Sequence, residues 1–217
     1  MANNVFVLGQ SDSIANQFLS ELRDAAVQKD RLRFRRNMER LGEILAYEVS
    51  KKLSFEQRTI STPLGNVSAN VLSEFPVLIT ILRAGIPFLQ GFLNFFDKAD
   101  CGFVGAYRNE NGKDITINVD YTSVPSIDQR PVIMIDPMLA TGKSLLDGWK
   151  LLLTKGTPSH VHIVSVVAAP EGIKLLEENL TGSYSLWTCS VDEKLNSSFY
   201  IVPGLGDAGD LSYGVKE

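Results

Sequence analysis

Residues 131–144 restrict the fold of this chain more than any other stretch, because they join a strand, a loop and a helix. The apolar, β-branched run Pro131–Ile135 is typical of a buried strand and ends at the acidic Asp136. Small and hydroxyl residues follow as far as Ser144. Apolar residues at helical spacing come next: Leu145, Leu146, Trp149, Leu152 and Leu153. This order predicts an open α/β sheet with a ligand loop at the carboxyl end of one strand.

The chemistry of this loop suits a phosphorylated sugar. A loop that leads into a helix N-terminus offers backbone N–H groups and the positive end of the helix dipole to a phosphate. A carboxylate at the strand tip, here Asp136, can accept hydrogen bonds from sugar hydroxyls. Gly142-Lys143-Ser144 imitates the end of a P-loop, but that motif needs glycine where this chain has Pro137. The dinucleotide pattern GxGxxG is also missing from this stretch.

The rest of the chain alternates between strand-like and helix-like patterns. Strands are predicted at 76–82, 103–107, 161–167 and 186–191, with a hairpin at 53–72. Helices are predicted at 11–28, with Ser11 or Asp12 as N-cap, from 29 to about 49, at 86–96, after residue 144, and from Pro170 to about Leu180. We therefore expect a mostly parallel central sheet flanked by helices.

Four segments are expected to meet at the carboxyl edge of this sheet. They are Arg83-Ala84-Gly85, Arg108, residues 136–144, and a glycine-rich ending at 200–210. Residues 109–129 form a connection too long for a plain loop. Its polar and apolar residues alternate through Ile115, Ile117, Val119 and Tyr121, which predicts a β-arm and a candidate lid.

Several segments, in order, resemble the uracil phosphoribosyltransferases, a branch of the type I phosphoribosyltransferase family. The resemblance is carried by the segments Ile81-Leu82-Arg83-Ala84-Gly85, Tyr107-Arg108-Asn109, Asp136-Pro137-Met138-Leu139-Ala140-Thr141-Gly142, Ala168-Ala169-Pro170-Glu171-Gly172 and Pro203-Gly204-Leu205-Gly206-Asp207-Ala208-Gly209-Asp210. It implies a single phosphoribosyltransferase domain over residues 1–217, with a β-arm at about 109–129 and a uracil loop at about 200–210.

The resemblance implies a glycosyltransferase of pyrimidine salvage. This reaction joins uracil to 5-phospho-α-D-ribose 1-diphosphate (PRPP), giving UMP and pyrophosphate with the help of Mg²⁺. The implied catalytic residues are Arg83, Arg108, Asp136 and Asp207. The PRPP-binding set adds Pro137, Met138, Leu139, Ala140, Thr141, Gly142, Lys143 and Ser144 to those four. No residue is assigned directly to the metal.

Each implied role has a physical reason. The N–H groups of residues 139–144 and the hydroxyls of Thr141 and Ser144 would hold the 5′-phosphate. Asp136 would bind the ribose hydroxyls and favour positive charge developing at the anomeric carbon. Guanidinium groups at Arg83 and Arg108 match paired phosphate oxygens, so they would clamp the pyrophosphate.

The same resemblance assigns uracil to the end of the chain. Main-chain groups of Ile201, Gly206 and Ala208 would read the acceptor–donor–acceptor edge of the base, while Asp207 would face PRPP or its metal. Cytosine presents the opposite polarity at two of these atoms. Each buried group left unpaired costs roughly 1–3 kcal/mol, so uracil would be preferred.

The sequence departs from the family pattern at three places. Lys143 stands where the family usually has a second glycine, which would strain the backbone if the position required a left-handed conformation. The arm keeps Tyr121 and Pro125 but lacks the basic residue often found between them. The segment 211–213 replaces a more basic ending.

Two alternatives to this enzyme stay open at this point. The arginine-rich segment 31–40 could bind RNA in a regulator that kept the fold, or it could be a solvated face or form salt bridges between subunits. The same chemistry could also act on another base. A net charge of -4 argues against dominant nucleic-acid binding, which relies on many basic contacts to phosphate.

The remaining expectations concern the surroundings of the protein. Cys101 and Cys189 lie in strand-like runs of residues and are expected to be buried and reduced. The start lacks the features of a signal peptide, and no apolar run reaches the ~20 residues of a membrane span, so a cytoplasmic protein is expected. The resemblance further implies a homodimer or higher homo-oligomer and a GTP effector.

Overall fold

A computed structural model describes residues 4–109 and 116–215, and for 106–109 and 116–120 it describes the backbone alone. The strands are β1 (Val5–Val7), β2 (Phe55–Thr62), β3 (Gly65–Leu72), β4 (Val77–Leu82), β5 (Cys101–Asn109), β6 (Thr116–Ser123), β7 (Pro131–Ile135), β8 (Met138–Leu139), β9 (His160–Ala168), β10 (Tyr184–Val191), β11 (Lys194–Leu195) and β12 (Ile201–Val202). The helices are α1 (Ile14–Arg23), α2 (Arg31–Ser50), α3 (Gly85–Leu93), α4 (Lys143–Leu152), α5 (Pro170–Asn179) and α6 (Ala208–Tyr213). Short 3-10 turns cover Leu8–Gln10 and Leu153–Lys155.

The central sheet has eight strands in the order β1-β10-β9-β7-β4-β5-β6, with β8 also paired to β9. Every pairing in it is parallel except that of β5 with β6. The predicted mostly parallel sheet flanked by helices is confirmed. Because β4 and β7 are neighbours, with Thr80 opposite Ile135, the loops that follow them begin side by side.

Both faces of the sheet are covered, because alternate residues of each strand point to opposite sides. On one face Ile133 and Ile135 pack with the buried residues of α2 and α3. On the other face Val132 and Met134 pack with α4, including Trp149. This double burial explains why the strand before Asp136 is apolar at every position.

Both ends of α1 differ from their predicted positions. Helix α1 begins at Ile14, since the Ser13 side chain accepts the N–H of Ala15, so the predicted caps Ser11 and Asp12 were wrong. The helix ends at Arg23 and does not continue to residue 28, because the Asp24 side chain accepts the N–H of Ala26 in a turn. Helix α2 starts where Asp30 accepts the N–H groups of Leu32 and Arg33.

Two antiparallel ribbons extend from the parallel core. Strands β2 and β3 pair over the whole predicted hairpin and are largely exposed. Strands β5 and β6 pair from Phe103↔Ser123 to Asn109↔Thr116, which places a ribbon inside the predicted arm. Ile115 lies outside the described residues, and the arm's role as a lid stays a prediction. Within the described part of the chain, no helix is long and apolar enough to cross a bilayer.

The two histidines belong to a polar cluster on β9 and β10. His162 is 2% exposed, and its Nδ1 lies 2.8 Å from Ser185 Oγ, which also accepts the indole N–H of Trp187. Burial, together with the neighbouring His160, lowers the pKa of His162 to about 3. The ring is therefore neutral at physiological pH, and its contacts lie inside the sheet.

We expect this histidine to make folding stability depend on pH. In the unfolded chain its pKa returns to about 6.5, so the unfolded state binds more protons than the folded state between pH 6.5 and 3. Its contribution to stability is complete above pH 6.5 and falls by about 2 kcal/mol on lowering the pH to 5. Urea unfolding at pH 7 and pH 5 should show a smaller loss for His162→Asn than for the parent. Equal losses would contradict this account.

Candidate active site

A cavity of about 150 Å³ lies at the carboxyl edge of the sheet, where three distant segments meet. The loop after β4, the loop after β7 and the C-terminal segment line it through Ile81, Leu82, Arg83, Ala84, Asp136, Met138, Ala140, Ser144, Phe199, Tyr200, Gly206, Asp207, Ala208 and Gly209. A smaller cavity of about 20 Å³ adjoins it and is lined by residues between Asp136 and Leu145. Asp136 and Ala208, which the sequence analysis assigned to different parts of one site, therefore face the same cavity.

The loop after β7 is more ordered than a simple βα turn. Asp136 Oδ1 accepts the N–H of Met138 at 3.1 Å, which leaves this carboxylate at the wall of both cavities. Met138 and Leu139 form the short strand β8 beside β9, so the predicted loop contains a strand. The N–H of Ala140 donates to Met138 O at 3.1 Å and is used inside the loop.

The end of this loop that is predicted to hold the phosphate lies at the start of α4. Gly142 is the N-cap with a φ of +79°, a left-handed conformation that favours glycine. Thr141 and Ser144 are both half-buried at the smaller cavity, beside the first turn of the helix. Their hydroxyls and the N-terminal N–H groups are thus gathered where a phosphate would be stabilised by the helix dipole.

Helix α5 supports the loop from behind. A Cβ on Gly172 would lie 2.4 Å from Ala140 O, and a Cβ on Gly142 would lie 3.0 Å from Gly172 O. Two glycines therefore let the loop and α5 approach each other closely. The segment Ala168–Gly172, which carried part of the resemblance, owes its glycine to this contact.

The lysine that departs from the family pattern causes no backbone strain. Lys143 is the first residue of α4 and is exposed, and the left-handed position is that of Gly142. Gln129 and Phe199 are the non-glycine residues with positive φ in the described chain. The cost considered for Lys143 in the sequence analysis therefore does not arise.

Lys143→Gly is expected to leave kcat within about tenfold of the parent. Glycine in the first turn costs up to about 1 kcal/mol of helix stability and removes one cation near the phosphate, but it leaves the left-handed Gly142 in place. Steady-state kinetics with saturating substrates check this expectation. A complete loss of turnover would show that the amine is required.

Arg83 reaches the C-terminal helix across the cavity. Its Nη2 donates to Asp210 Oδ1 at 3.0 Å and to Gly214 O at 3.2 Å. Its Nε is buried without a hydrogen-bond partner among the described residues. Arg108 lies on β5 opposite Ile117, but its side chain is outside the described part of the structure, so its predicted role stays a prediction.

The uracil loop places three of its four assigned residues at the cavity. Gly206, Asp207 and Ala208 line it, and Asp207 Oδ1 accepts the N–H of Asp210 at the start of α6. Ile201 does not line it, because β12 pairs this residue with Leu195 and its side chain joins the core.

Two aromatic residues at the cavity were not predicted as site residues from the sequence. Phe199 and Tyr200 line it and are 39% and 40% exposed. Phe199 directly precedes the glycine-rich segment 200–210 and Tyr200 is its first residue, so their aromatic character at this segment was the signal available. A separate, larger cavity of about 790 Å³ lies between β1, α1 and α5 and contains none of the predicted site residues.

The arginine-rich segment forms ion pairs and hydrogen bonds within the chain. Arg33 pairs with Glu21 at 2.8 Å, and this contact, aided by Asn37 and Gln17, lowers the pKa of Glu21 to about 2. Arg36 pairs with Glu39 at 2.6 Å. Arg35 Nη1 also donates to Ser212 O at 2.8 Å, and Arg40 Nη1 donates to Asn37 Oδ1 at 3.0 Å. These contacts lie within one chain and give no support to RNA binding, and the expected solvated face or salt bridges between subunits stay a prediction.

Two carboxylates at the cavity bear on whether it could hold a metal ion. No cluster of three or more His, Cys, Asp or Glu side chains with metal-binding geometry occurs among the described residues. Asp136 and Asp207 nevertheless line the cavity. Mg²⁺ is commonly held by one or two carboxylates together with substrate phosphates, and these two residues fit that arrangement.

Comparison with known proteins gives a consistent result. The sequence model of one family, described as uracil phosphoribosyltransferase, matches residues 10–215. A uracil phosphoribosyltransferase of Porphyromonas gingivalis is 46% identical over 213 residues, covering 98% of this chain and 99% of the relative. Another from Streptomyces coelicolor is 40% identical over 202 residues, with coverages of 92% and 93%.

A solved structure shares this fold over nearly the whole chain. The AQ2163 protein of Aquifex aeolicus matches with a TM-score of 0.87 at 34% sequence identity. The match covers 97% of this chain and 98% of that protein.

Proposed function

This chain belongs to the uracil phosphoribosyltransferase family, and we propose that it transfers the 5-phosphoribosyl group of PRPP to uracil, giving UMP and pyrophosphate in pyrimidine salvage. The observation that carries the proposal is the shared cavity. It brings the acidic strand tip, Asp136, together with the loop residues Gly206–Ala208, although they lie far apart in sequence. A sugar-phosphate donor and a base could therefore meet there.

The proposed reaction breaks the bond between the ribose C1 and the diphosphate oxygen and forms a bond from C1 to N1 of uracil, and the N1 proton leaves to the released pyrophosphate or to water. Positive charge develops on the sugar during this exchange, and the Asp136 carboxylate stabilises it while accepting the ribose hydroxyls. Thr141, Gly142 and Ser144 fix the 5′-phosphate at the start of α4. Catalysis then rests on positioning and electrostatics, with no protein nucleophile.

The leaving group is assigned to arginines. Arg83 crosses the cavity to Asp210, so a diphosphate would compete with this carboxylate for the same guanidinium. Arg108 is proposed as the second clamp on the family resemblance. Mg²⁺ bound with PRPP would neutralise charge on the diphosphate, with Asp207 and Asp136 as the proposed protein carboxylates beside it.

Uracil recognition is assigned to main-chain groups. The backbone of Gly206 and Ala208 borders the cavity and is proposed to meet the edge of the base, with Ile201 supporting the loop from the core. Main-chain donors and acceptors in a fixed loop read uracil without a pairing base, and cytosine would leave some of them unpaired.

The exposed hairpin β2–β3 is the basis for proposing a homodimer. Ile60 and Val67 lie opposite each other on it and are 37% and 50% exposed, and Leu64 at the turn is fully exposed. A two-stranded hairpin is marginal alone in water, and an exposed apolar face is typical of an interface. A second copy of this chain is the proposed partner, and sedimentation equilibrium tests it.

Two further expectations remain proposals. The cytoplasm is the proposed location, in keeping with the free thiols of Cys101 and Cys189. GTP is proposed as an activator on the family resemblance alone, and adding it to the assay described next tests that expectation.

The proposed function is tested by supplying PRPP and Mg²⁺ with uracil, cytosine, hypoxanthine or adenine in turn. Uracil should give pyrophosphate and UMP in equal amounts, and the other three bases should give little of either. Turnover of a purine in place of uracil would overturn the assigned substrate. Tight RNA binding with no turnover of any base would overturn the enzyme itself.

A further inference from the structure

An ion pair outside the cavity of about 150 Å³ forms hydrogen bonds with the backbone of the predicted uracil loop. Asp192 follows β10, and its side chain is 3% exposed. Arg23, at the end of α1, contacts both of its carboxylate oxygens, with Nη2–Oδ1 at 2.6 Å and Nη1–Oδ2 at 2.8 Å. Such a two-pronged contact fixes the relative orientation of the two side chains as well as their distance.

Both members of this pair also hold Gly204. The N–H of Gly204 donates to Asp192 Oδ2 at 2.8 Å, and Arg23 Nη1 donates to Gly204 O at 2.9 Å. One ion pair thus satisfies the donor and the acceptor of a single loop residue. A third side chain holds the next residue of the loop, since Gln28 Nε2 donates to Leu205 O at 3.2 Å.

The backbone conformation of Gly204 is itself restricted. Gly204 has a left-handed φ of +60°, and a Cβ there would lie 2.2 Å from Ile201 O. Two residues later Gly206 reaches the cavity. Any movement of Gly204 would therefore be passed along a short stretch of backbone to the groups that face the base.

The charge on Asp192 is maintained although the group is buried. Burial alone would raise the pKa of this carboxyl, but hydrogen bonds from Arg23, Ser190 and the N–H of Gly204 outweigh it and keep the pKa below its ordinary value. The backbone of Asp192 is fixed as well, because its N–H donates to Ala168 O at 2.8 Å.

We propose that Arg23 and Asp192 are positioning residues for base recognition, which hold the main chain of the uracil loop in the geometry that reads uracil. The inference rests on the proposed function, because it needs uracil to be bound by main-chain groups near Gly206. Neither side chain lines the cavity, so they act through the loop. Because main-chain atoms of the loop are proposed to select the base, the Arg23 and Asp192 side chains, which hold that main chain, would set how well those atoms are aligned with uracil.

The test measures KM for uracil and KM for PRPP separately in Asp192→Asn, Arg23→Lys and a control. Asp192→Asn should raise KM for uracil by about tenfold or more, since small misplacements of binding groups have large effects, and KM for PRPP should change less than about threefold. The ratio of kcat/KM for uracil to that for cytosine should fall in parallel. Arg23→Lys keeps the charge but cannot make all three contacts at once, so its KM for uracil should lie between those of the parent and Asp192→Asn.

Arg130→Gln is the matched control. Arg130 pairs with Asp100 at 2.7 Å at the opposite, amino-terminal edge of the sheet, and its loss should change neither KM value. Thermal unfolding identifies folded variants. If Asp192→Asn does not fold, Arg23→Lys carries the test alone, and an unchanged KM for uracil in it would overturn the inference.

The outcomes separate this inference from the proposed function. In one outcome the parent turns over uracil normally, while KM for uracil and KM for PRPP rise equally in the variants or do not rise at all. That result would overturn the positioning role and leave the enzyme assignment intact. No uracil turnover by the parent would overturn the proposed function and this inference with it.

Discussion

Replacing Asp136 with asparagine is expected to lower kcat by at least about 100-fold, the typical effect of removing one group that stabilises transition-state charge. Asparagine has nearly the same shape, and its side-chain oxygen can still accept the N–H of Met138, which Asp136 accepts at 3.1 Å. The turn after β7 should therefore survive. What is lost is the negative charge beside the sugar carbon at which positive charge develops.

A nearby carboxylate provides the control for this experiment. Asp147 lies on α4, outside both cavities at the carboxyl edge, and its nearest ionic contact is Lys150 at 3.9 Å. Asp147→Asn should leave kcat within about twofold, as expected for an exposed pair of little energetic value. If Asp136→Asn retained the parent kcat, the assignment of Asp136 to the reacting sugar would be wrong.

Gly172→Ala is expected to reduce kcat/KM for PRPP by about 100-fold, the scale of effect produced by a 1 Å misplacement of binding groups. Its new methyl group would lie 2.4 Å from Ala140 O, so the loop or α5 must move. Since Ala140 precedes the phosphate end of the loop, the change should appear mainly in KM for PRPP. KM for uracil should change much less.

Gly148→Ala is a suitable comparison for this variant. A Cβ on Gly148 would meet only the end of the Met134 side chain, at 3.3 Å, and that flexible group can move aside. The comparison variant should therefore bind PRPP like the parent. Identical kinetics for the two alanine variants would show that the close approach of α5 does not set the geometry of the phosphate loop.

Local patterns were sufficient for the parts of the site that are continuous in sequence. One stretch, residues 131–144, was enough to predict the strand β7, Asp136 at its tip and the start of α4. Its apolar, acidic and small or hydroxyl residues each occur where a strand, a strand tip and a loop before a helix require them. The hairpin β2–β3 was also predicted, because turn residues separate two strand-like runs. The end of α1 was not, since a single Asp24 hydrogen bond to the backbone overrides a helical apolar pattern.

Contacts between distant residues could not be predicted in this way. Arg23 and Asp192 are 169 positions apart, and Arg83 and Asp210 are 127 apart, so no local pattern links them. The available signal for Asp192 was its position directly after a strand, which is the position that drew attention to Asp136. Sheet order decides which strand ends become neighbours, and that order depends on packing across the whole chain.

The most direct test of the central claim is a crystal structure of the protein with UMP bound. The account predicts the phosphate at the start of α4, within hydrogen-bonding distance of Thr141 and Ser144, and the ribose hydroxyls at Asp136. The uracil edge should contact main-chain atoms of Gly206 and Ala208. A UMP molecule bound elsewhere, or with its base directed away from the C-terminal loop, would contradict the account.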